Sequence, residues 1–246
     1  MTHRSLKVVL GLLVTATLSA CGGGKLSVGT PPLNNTKLIT IDFNTNANGW
    51  TAGFADYPAG EEDFYELASN YTTLPISLGE NRKGIKLSGN NHSDDLFMFA
   101  TKKFTGFEPN TGYEIDFELG IGTKEHTGCS GIGGSPGGSV YVKAGATKIE
   151  PKAVNNGSGF YLMNIDKSNQ AIGGSDAVVI GNLENGLACD APDNTYKKKT
   201  LKSEPGKFTT YSDATGALWV IFGTDSGFEG STTLYFMDAA LKITKR

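Results

Sequence analysis

Apolar and polar residues alternate along much of the chain after residue 36. In 37–43 apolar residues stand at every second position, and in 112–119 Tyr113, Ile115 and Phe117 alternate with acidic residues. Because successive side chains of a strand point to opposite faces, a period of two predicts half-buried β-strands. Short β-branched or aromatic runs bounded by turn-forming residues predict further strands at 85–87, 96–104, 139–143, 160–165, 178–180, 218–222 and 232–243.

This series of short strands predicts an all-β fold, a single jelly-roll β-sandwich domain over residues 37–246. Only Glu61–Leu74 indicates a helical turn or two. The 33 glycines follow no fixed period, so we assign them to turns. Long loops are predicted at 44–84, 120–138 and 182–208, and loops on a rigid β scaffold are where binding sites usually lie.

The first segment, 1–20, has the composition of a secretory signal peptide. Arg4 and Lys7 precede an apolar run that is too short to cross a bilayer. The run ends in Leu18-Ser19-Ala20-Cys21, which resembles a bacterial lipobox. The resemblance implies that the Cys21 thiol receives a diacylglycerol before the chain is cleaved ahead of it. The alternative is an ordinary secretory signal with a chance cysteine.

Acyl chains on Cys21 imply stable attachment to a membrane. Residues 21–36 are rich in Gly, Pro and Asn, and they are predicted to form a flexible tether before the β-sandwich. Gly22 rather than Asp follows the cysteine, and by resemblance to Gram-negative lipoproteins this implies the outer membrane, if the host has one. The predicted location is therefore the bacterial cell envelope.

Two cysteines remain once Cys21 is assigned to the anchor, namely Cys129 and Cys189. An exported protein folds in an oxidising compartment, so the two are predicted to form a disulfide between Gly- and Asn-containing loops. The alternative, a thiol metal site with His126, lacks further ligands at useful spacing. A formal net charge of −3 excludes the basic surface that nucleic-acid-binding proteins use.

Both ends of the predicted domain resemble galactose-binding-like jelly-roll modules. Asp42-Phe43-Asn44 followed by Gly49-Trp50 is similar to the opening of such modules, and the aromatic segment 233–238 is similar to their last strand. The chain looks most like uncharacterised bacterial lipoproteins with a domain of this architecture, which is similar to carbohydrate-binding modules. The resemblance implies that the first and last strands lie side by side.

A structural calcium site is a further expectation from this pairing. Asn44 and Asp238 would meet at the paired end strands, and their oxygens are candidate ligands for Ca²⁺, with Asp42 as an additional candidate. The alternative is that these side chains are simply solvated at a sheet edge.

Three carboxylates alternate in the strand Glu114-Ile115-Asp116-Phe117-Glu118, so they share one face. This strand resembles the catalytic strand of laminarinase-type jelly-roll glycoside hydrolases, which implies Glu114 as nucleophile, Glu118 as acid/base and Asp116 between them. The sequence departs from that family because it lacks the Trp and Pro that usually precede the motif. The favoured interpretation is a solvated strand face, with Lys or a cation opposite.

Aromatic residues of the first long loop are candidates for stacking against a sugar. Tyr57 and Tyr65 are predicted to be exposed ligand-binding residues, and Asp63 is a candidate hydrogen-bond partner for sugar hydroxyls. Trp50 is either a core plug or a ligand contact, and the sequence leaves both open. Trp219 lies in an alternating strand and is predicted to be a core residue.

The sequence therefore predicts a lipid-anchored extracytoplasmic binding or accessory module, with glycan as the expected ligand class. One alternative is a glycoside hydrolase that uses Glu114 and Glu118. Another is a structural envelope lipoprotein without a small ligand. A shallow face with exposed tyrosines would favour the binding module, whereas a deep groove floored by the three carboxylates would favour the enzyme.

Overall fold

The computed structural model describes residues 35–246. The predicted signal peptide over 1–20 and Cys21, the predicted lipid acceptor, lie outside the described residues. Among residues 35–246, no helix is long and apolar enough to cross a membrane. The described chain forms the strands β1 (Thr36–Asp42), β2 (Thr51–Ala55), β3 (Tyr57–Pro58), β4 (Ala68–Thr73), β5 (Lys83–Asn90), β6 (Leu96–Thr105), β7 (Gly112–Thr123), β8 (Val140–Thr147), β9 (Ala153–Asn155), β10 (Phe160–Met163), β11 (Ala177–Asn182), β12 (Lys197–Lys202), β13 (Thr209–Tyr211), β14 (Ala217–Ser226) and β15 (Ser231–Lys245), with a short 3₁₀ helix at Ile76–Leu78.

These strands form two main antiparallel sheets and one small sheet. Sheet A has the order β12-β7-β15-β5-β4, with β1 beside β15 and β13 beside β7. Sheet B has the order β11-β8-β14-β6-β2, and the small sheet has the order β3-β10-β9. The prediction of an all-β jelly-roll sandwich is confirmed by these sheets, which pack their apolar faces against each other.

The long last strand organises sheet A. Along one edge β15 pairs with β7, and along the other it pairs first with β5 and then with β1. The register places Asp42 opposite Asp238. The first and last strands therefore lie side by side, as the resemblance to jelly-roll modules implied.

An aromatic spine connects the two sheets through the core. Phe222 of β14 lies at its centre, with ring centroids 6.4 Å from Phe117 of β7 and 6.3 Å from Phe236 of β15. Trp50, which precedes β2, stacks on Phe222 at 5.5 Å and meets Phe43 edge-on at 5.3 Å. The start of β2 is thus fixed to the centre of the sandwich.

The first predicted long loop contains much more strand than the sequence indicated. Within Glu61–Leu74 one helical turn is present, in which the N–H of Tyr65 donates to the carbonyl of Glu61 over 2.9 Å. Residues 68–73 of the same segment form β4, so the helical part is one turn, the smaller of the two extents that the sequence indicated. β4 pairs with β5, and this cross-strand partner outweighs the local helical tendency.

The predicted disulfide is present between Cys129 and Cys189, which are 60 residues apart. Its two loops are also joined by backbone contacts, since the N–H of Thr127 donates to the carbonyl of Leu187 over 2.7 Å. His126 contacts the carbonyl of Asp193 through Nε2 at 2.8 Å, so it belongs to this loop junction rather than to a thiol metal site.

Replacing both Cys129 and Cys189 with Ser should lower the melting temperature. In the chain-entropy description, a closed loop of this length contributes about 4 kcal/mol to the free energy of unfolding. Thermal denaturation with and without reductant measures the effect. A reductant that lowers the melting temperature of the double variant as much as that of the wild type would contradict this assignment.

Candidate functional site

An open cleft lies where the two sheets expose their outermost strands, β2 and β4. Its volume is about 310 Å³. The side chains that line it come from the segment before β2, from both edge strands and from β5: Ala47, Trp50, Thr51, Ala52, Ser69, Asn70, Tyr71 and Ile85. We call this the edge cleft.

Two aromatic rings of the edge cleft are held by different means. Trp50 is half-buried and anchored by the aromatic spine. Tyr71 is 40% exposed, and its hydroxyl donates to the carbonyl of Asn44 over 3.4 Å. The ammonium of Lys83 lies 5.6 Å from the Tyr71 ring centroid. One ring is thus rigid and the other stands at the solvent side.

The turn before β2 is fastened on both sides, which fixes the position of Trp50. The N–H of Trp50 donates to the carbonyl of Ala47 over 3.0 Å, and Lys102 Nζ donates to the carbonyl of Asn48 over 2.6 Å. Gly49 has a φ of +76°, a conformation that side-chain-bearing residues rarely adopt. The tight turn at Gly49 aims the indole back into the sandwich.

The chemistry of the edge cleft is neutral. No lining side chain carries a charge, and the polar groups are hydroxyls and one amide, from Thr51, Ser69, Asn70 and Tyr71. Aromatic faces combined with hydroxyl and amide groups suit a ligand that presents both C–H faces and hydroxyls. The arrangement therefore favours an uncharged polyhydroxylated molecule over an ionic one.

Tyr57 and Tyr65 do not form the exposed platform that the sequence predicted. They are 6% and 2% exposed, and their ring centroids are 5.8 Å apart within the core. The Tyr57 hydroxyl donates to Glu62 Oε1 over 3.3 Å, and burial together with Glu62 raises the pKa of Tyr57 to about 12. The prediction is wrong because Tyr65 of the turn 61–67 and Tyr57 of the short strand β3 both direct their rings into the core, while Asp63 stays exposed on that turn.

Trp219 also departs from its prediction. The core-facing residues of β14 are its neighbours Leu218 and Val220, so the Trp219 side chain lies on the opposite face of sheet B. There it is half-buried, opposite Thr147 in register, with Lys103 Nζ 6.0 Å from its ring centroid. Trp219 is therefore a surface aromatic residue rather than a core residue.

The carboxylates of β7 lie on the solvent side of sheet A and contact lysines. Asp116 binds Lys242 at 3.0 Å, and Glu118 binds Lys202 at 2.9 Å. Burial opposes the charge of Asp116, but the N–H of Gly206 and the Lys242 ammonium outweigh it and lower the pKa of this carboxyl. Glu114 is half-buried on the same face. These contacts match the favoured interpretation of a solvated strand face with lysines opposite.

The oxygens predicted to bind calcium already have protein partners. Asp238 Oδ2 lies 2.6 Å from Lys198 Nζ and 3.8 Å from Arg82, and Asn44 Oδ1 accepts the N–H of Lys83 over 2.9 Å. Asp42 Oδ1 accepts the N–H of Asn44 over 2.9 Å. Because two basic side chains neutralise Asp238, the contacts argue against a cation at this position.

A buried cluster of five charged residues lies on the face of sheet B that points away from the core. Lys143 Nζ is 2.7 Å from Asp225 Oδ2, and both side chains are fully buried. Lys167 Nζ lies 2.8 Å from Asp56 and 2.9 Å from Asp225. Asp95 completes the cluster, since one carboxylate oxygen each from Asp56, Asp95 and Asp225 lie within 4.8 Å of one another.

The ionisation of this cluster is set by burial and by its neighbours. Burial raises the pKa of Asp56 and lowers that of Lys143. Burial also opposes the charge of Lys167, but Asp225 and Asp56 outweigh it and raise its pKa. Burial, with the charges of Asp56 and Asp225, raises the pKa of Asp95 to about 7.

Three aspartates and two lysines suit a cluster of internal ion pairs better than a metal centre. The Lys167 ammonium stands 2.8–2.9 Å from two of the carboxylates, which is where a cation would sit. Sequence reasoning missed this cluster, although one signal was available. Lys143 and Asp225 each interrupt an apolar strand, and a charge in such a setting needs a partner.

Comparisons with known proteins add a weak structural likeness. No protein-family model matches the sequence, and no curated protein is similar to it. A carbohydrate-binding module of the β-sandwich superfamily is similar to this chain at 12% identity and a TM-score of 0.37, over 80% of this chain and 58% of that one. The carbohydrate-binding module TmCBM27, described for specific mannan recognition, gives 11% identity and a TM-score of 0.36 over 86% and 98%. The K3 cleaved adhesin domain of Lys-gingipain from Porphyromonas gingivalis is similar at 12% identity and a TM-score of 0.33, over 84% of this chain and 98% of that one. The fold rests on the strand topology, and the function must be argued from the residues.

Removing one member of the buried cluster should destabilise the protein strongly. Lys143→Met leaves the fully buried Asp225 without its closest ammonium, which should cost about 3–5 kcal/mol. Lys198→Met is the matched control, because its ion pair with Asp238 is partly exposed and such pairs contribute about 1 kcal/mol or less. Urea denaturation of both variants measures the difference. Equal losses of unfolding free energy would show that the buried cluster contributes no more to stability than a partly exposed ion pair.

Proposed function

We propose that this protein is a glycan-binding or accessory module of the cell envelope and that the edge cleft binds a neutral saccharide. The observation that carries the proposal is the pairing of a rigid indole with an exposed tyrosine in a cleft lined by hydroxyls and an amide. Trp50 supplies the fixed surface and Tyr71 the outer one.

The shape of the edge cleft supports binding of a segment of a polysaccharide rather than of a whole small molecule. The cleft is open and lies along the outer strands β2 and β4, whose far edges have no strand partner among the described sheets. Unpaired backbone N–H and C=O groups at such edges are available for further hydrogen bonds. A sugar residue within a longer polymer would have room to continue in both directions.

The uncharged lining of the edge cleft indicates which saccharides should bind. No side chain of the cleft lining carries a charge, and the ammonium of Lys83, 5.6 Å from the Tyr71 ring centroid, is exposed to water, so it would compensate a uronate or sulfate group only weakly. Burying an unpaired charge is costly, so charged sugars should bind less well than neutral ones. We therefore assign neutral oligosaccharides as the ligand class.

Attachment to the envelope belongs to the same proposal. The lipobox-like Leu18-Ser19-Ala20-Cys21 and the disulfide between Cys129 and Cys189 both suit an exported protein. A lipid on Cys21 would hold the binding domain at a membrane surface. In that position a glycan-binding module would act on polysaccharides of the envelope or of its surroundings.

Calorimetric titration with a panel of neutral gluco-, manno-, galacto- and xylo-oligosaccharides tests the binding site. For any member that binds, Tyr71→Ala should lower affinity about tenfold or more, since tenfold corresponds to about 1.4 kcal/mol. Tyr71→Phe keeps the ring and should retain most of the affinity. Tyr211→Ala removes an exposed aromatic residue elsewhere and serves as control.

Two results would contradict this proposal. Failure of the whole panel to bind folded protein would remove the glycan assignment. Binding that survives Tyr71→Ala but is lost in Tyr211→Ala would move the site away from the edge cleft.

Changing Cys21 to Ala should release the protein from membranes into the soluble fraction, because the thiol is the proposed acyl acceptor. Detergent phase partitioning of cells expressing each form measures this. Cys129→Ser, which leaves Cys21 in place, is the control for general effects of losing a cysteine. Unchanged partitioning of the Cys21 variant would rule out the lipid anchor.

A further inference from the structure

The segment 163–176 crosses the face of sheet B that points away from the core, and we call it the strap. Met163 and Ile165 of the strap pack with Phe97, Phe99 and Ile221 in a separate small apolar cluster. The strap therefore covers apolar surface that would otherwise face water. What fastens the strap determines whether that surface stays covered.

Most of the polar fastening comes from the buried charged cluster. Lys143 Nζ donates to the strap carbonyls of Lys167 and Ile172 over 2.7 and 3.0 Å. Asp225 Oδ2 accepts the N–H of Gln170 over 3.0 Å and lies 2.9 Å from Lys167 Nζ. Two buried side chains of sheet B thus hold the strap by both its backbone and its lysine.

The backbone around the cluster is held in an unusual conformation. Seven non-glycine residues among 35–246 have positive φ, and four of them, Asp56, Asp94, Ser168 and Gln170, lie in or next to the cluster and the strap. Such conformations persist only where the surroundings enforce them. The cluster is therefore what keeps this part of the strap in place.

The charges of the cluster do not balance by themselves. Asp56, Asp95 and Asp225 face two ammonium groups, Lys143 and Lys167, which leaves one negative charge over. Asp95 Oδ1 and Asp225 Oδ1 are buried and accept no hydrogen bond, whereas Asp56 Oδ2 lies 2.8 Å from Lys167 Nζ. One proton shared between Asp95 and Asp225 would remove the surplus charge and give two of these oxygens a partner.

A small cavity gives solvent access to this position. Its volume is about 200 Å³, and Asp56 and Asp95 line it together with strap residues 165–169. Protons can therefore exchange with the cluster without unfolding of the sandwich.

We propose that a proton shared by Asp95 and Asp225 latches the strap onto sheet B, so that the strap loosens when this proton is lost. Asp95 has a raised pKa of about 7 because burial and the Asp56 and Asp225 carboxylates disfavour its ionisation, while Lys167 and Lys143 oppose them. The latch is closed in mildly acidic surroundings and weakened in mildly alkaline ones.

The sign of the pH dependence follows from proton binding. Between the ordinary Asp pKa of 3.8 and the folded-state pKa of about 7, the folded protein holds a proton that the unfolded chain has released. The contribution of Asp95 to stability therefore falls as pH rises through this window. Above it, the ionised carboxylates of Asp95 and Asp225 repel each other, and Asp225 is the side chain that holds the Gln170 N–H and the Lys167 ammonium of the strap.

Hydrogen exchange of strap amides at about pH 5.5 and about pH 8, expressed as protection relative to the unstructured chain, tests the latch. In the wild type, protection of the strap, including the Gln170 N–H, should fall several-fold at the higher pH, while that of β14 stays constant. Asp95→Asn keeps a donor toward Asp225 without an ionisable proton, so its strap should stay protected at both pH values. Asp94→Asn, an exposed neighbour, is the matched control and should behave as the wild type.

Equal pH dependence in the wild type and Asp95→Asn would overturn the proposal. Adding calcium or potassium to the wild type at about pH 8 tests the alternative that a metal cation, rather than a proton, occupies the acidic cluster. Restored protection with either ion would identify a cation site and overturn the proton latch, whereas no effect is the expected result.

Discussion

The contact between Trp50 and Phe222 is the constraint on which the rest of the structure depends. Phe222 reaches from sheet B to Phe117 and Phe236 of sheet A, and Trp50 stacks on it from the turn before β2. The two sheets, the start of β2 and the floor of the edge cleft are therefore fixed by one aromatic spine. A cleft floor built from the core needs no separate support, which makes it suitable for a rigid binding surface.

The two faces of sheet B have opposite roles. One face contributes Leu218, Val220 and Phe222 to the core shared with sheet A. The other face carries the buried Asp225 and is covered by the strap. An open sheet face would have been a natural binding surface, but here the strap occupies a large part of it. Binding is consequently assigned to the edge between the sheets, and proton sensitivity to the covered face.

Local sequence patterns were sufficient to predict the strands that have a clear two-residue period and the disulfide. β1 and β7 show this period, and the pair Cys129 and Cys189 allowed only one disulfide. β12, with the sequence Lys-Lys-Lys-Thr-Leu-Lys, was missed because its strand state comes from pairing with β7 and from ion pairs to acidic neighbours.

The candidate sites were predictable only in part, because they depend on contacts between distant segments. The sequence marked the first long loop as aromatic, but it could not show that Tyr57 and Tyr65 turn inward while Tyr71 remains exposed. Likewise, Lys143 and Asp225 were visible as charges in apolar strands, yet their partners Lys167 and Asp56 come from elsewhere in the chain. Which face a side chain takes is decided by strand pairing, and strand pairing is not a local property.

Mapping of backbone amide shifts by NMR during titration with neutral oligosaccharides tests the central claim most directly. The account predicts that the largest saturable changes occur at Thr51 and at 69–71, with Trp50 among them, while the strand carrying Glu114 and Glu118 stays unchanged. Saturable changes centred on Glu114–Glu118 or on Trp219 and Tyr211, with the edge cleft unaffected, would contradict it.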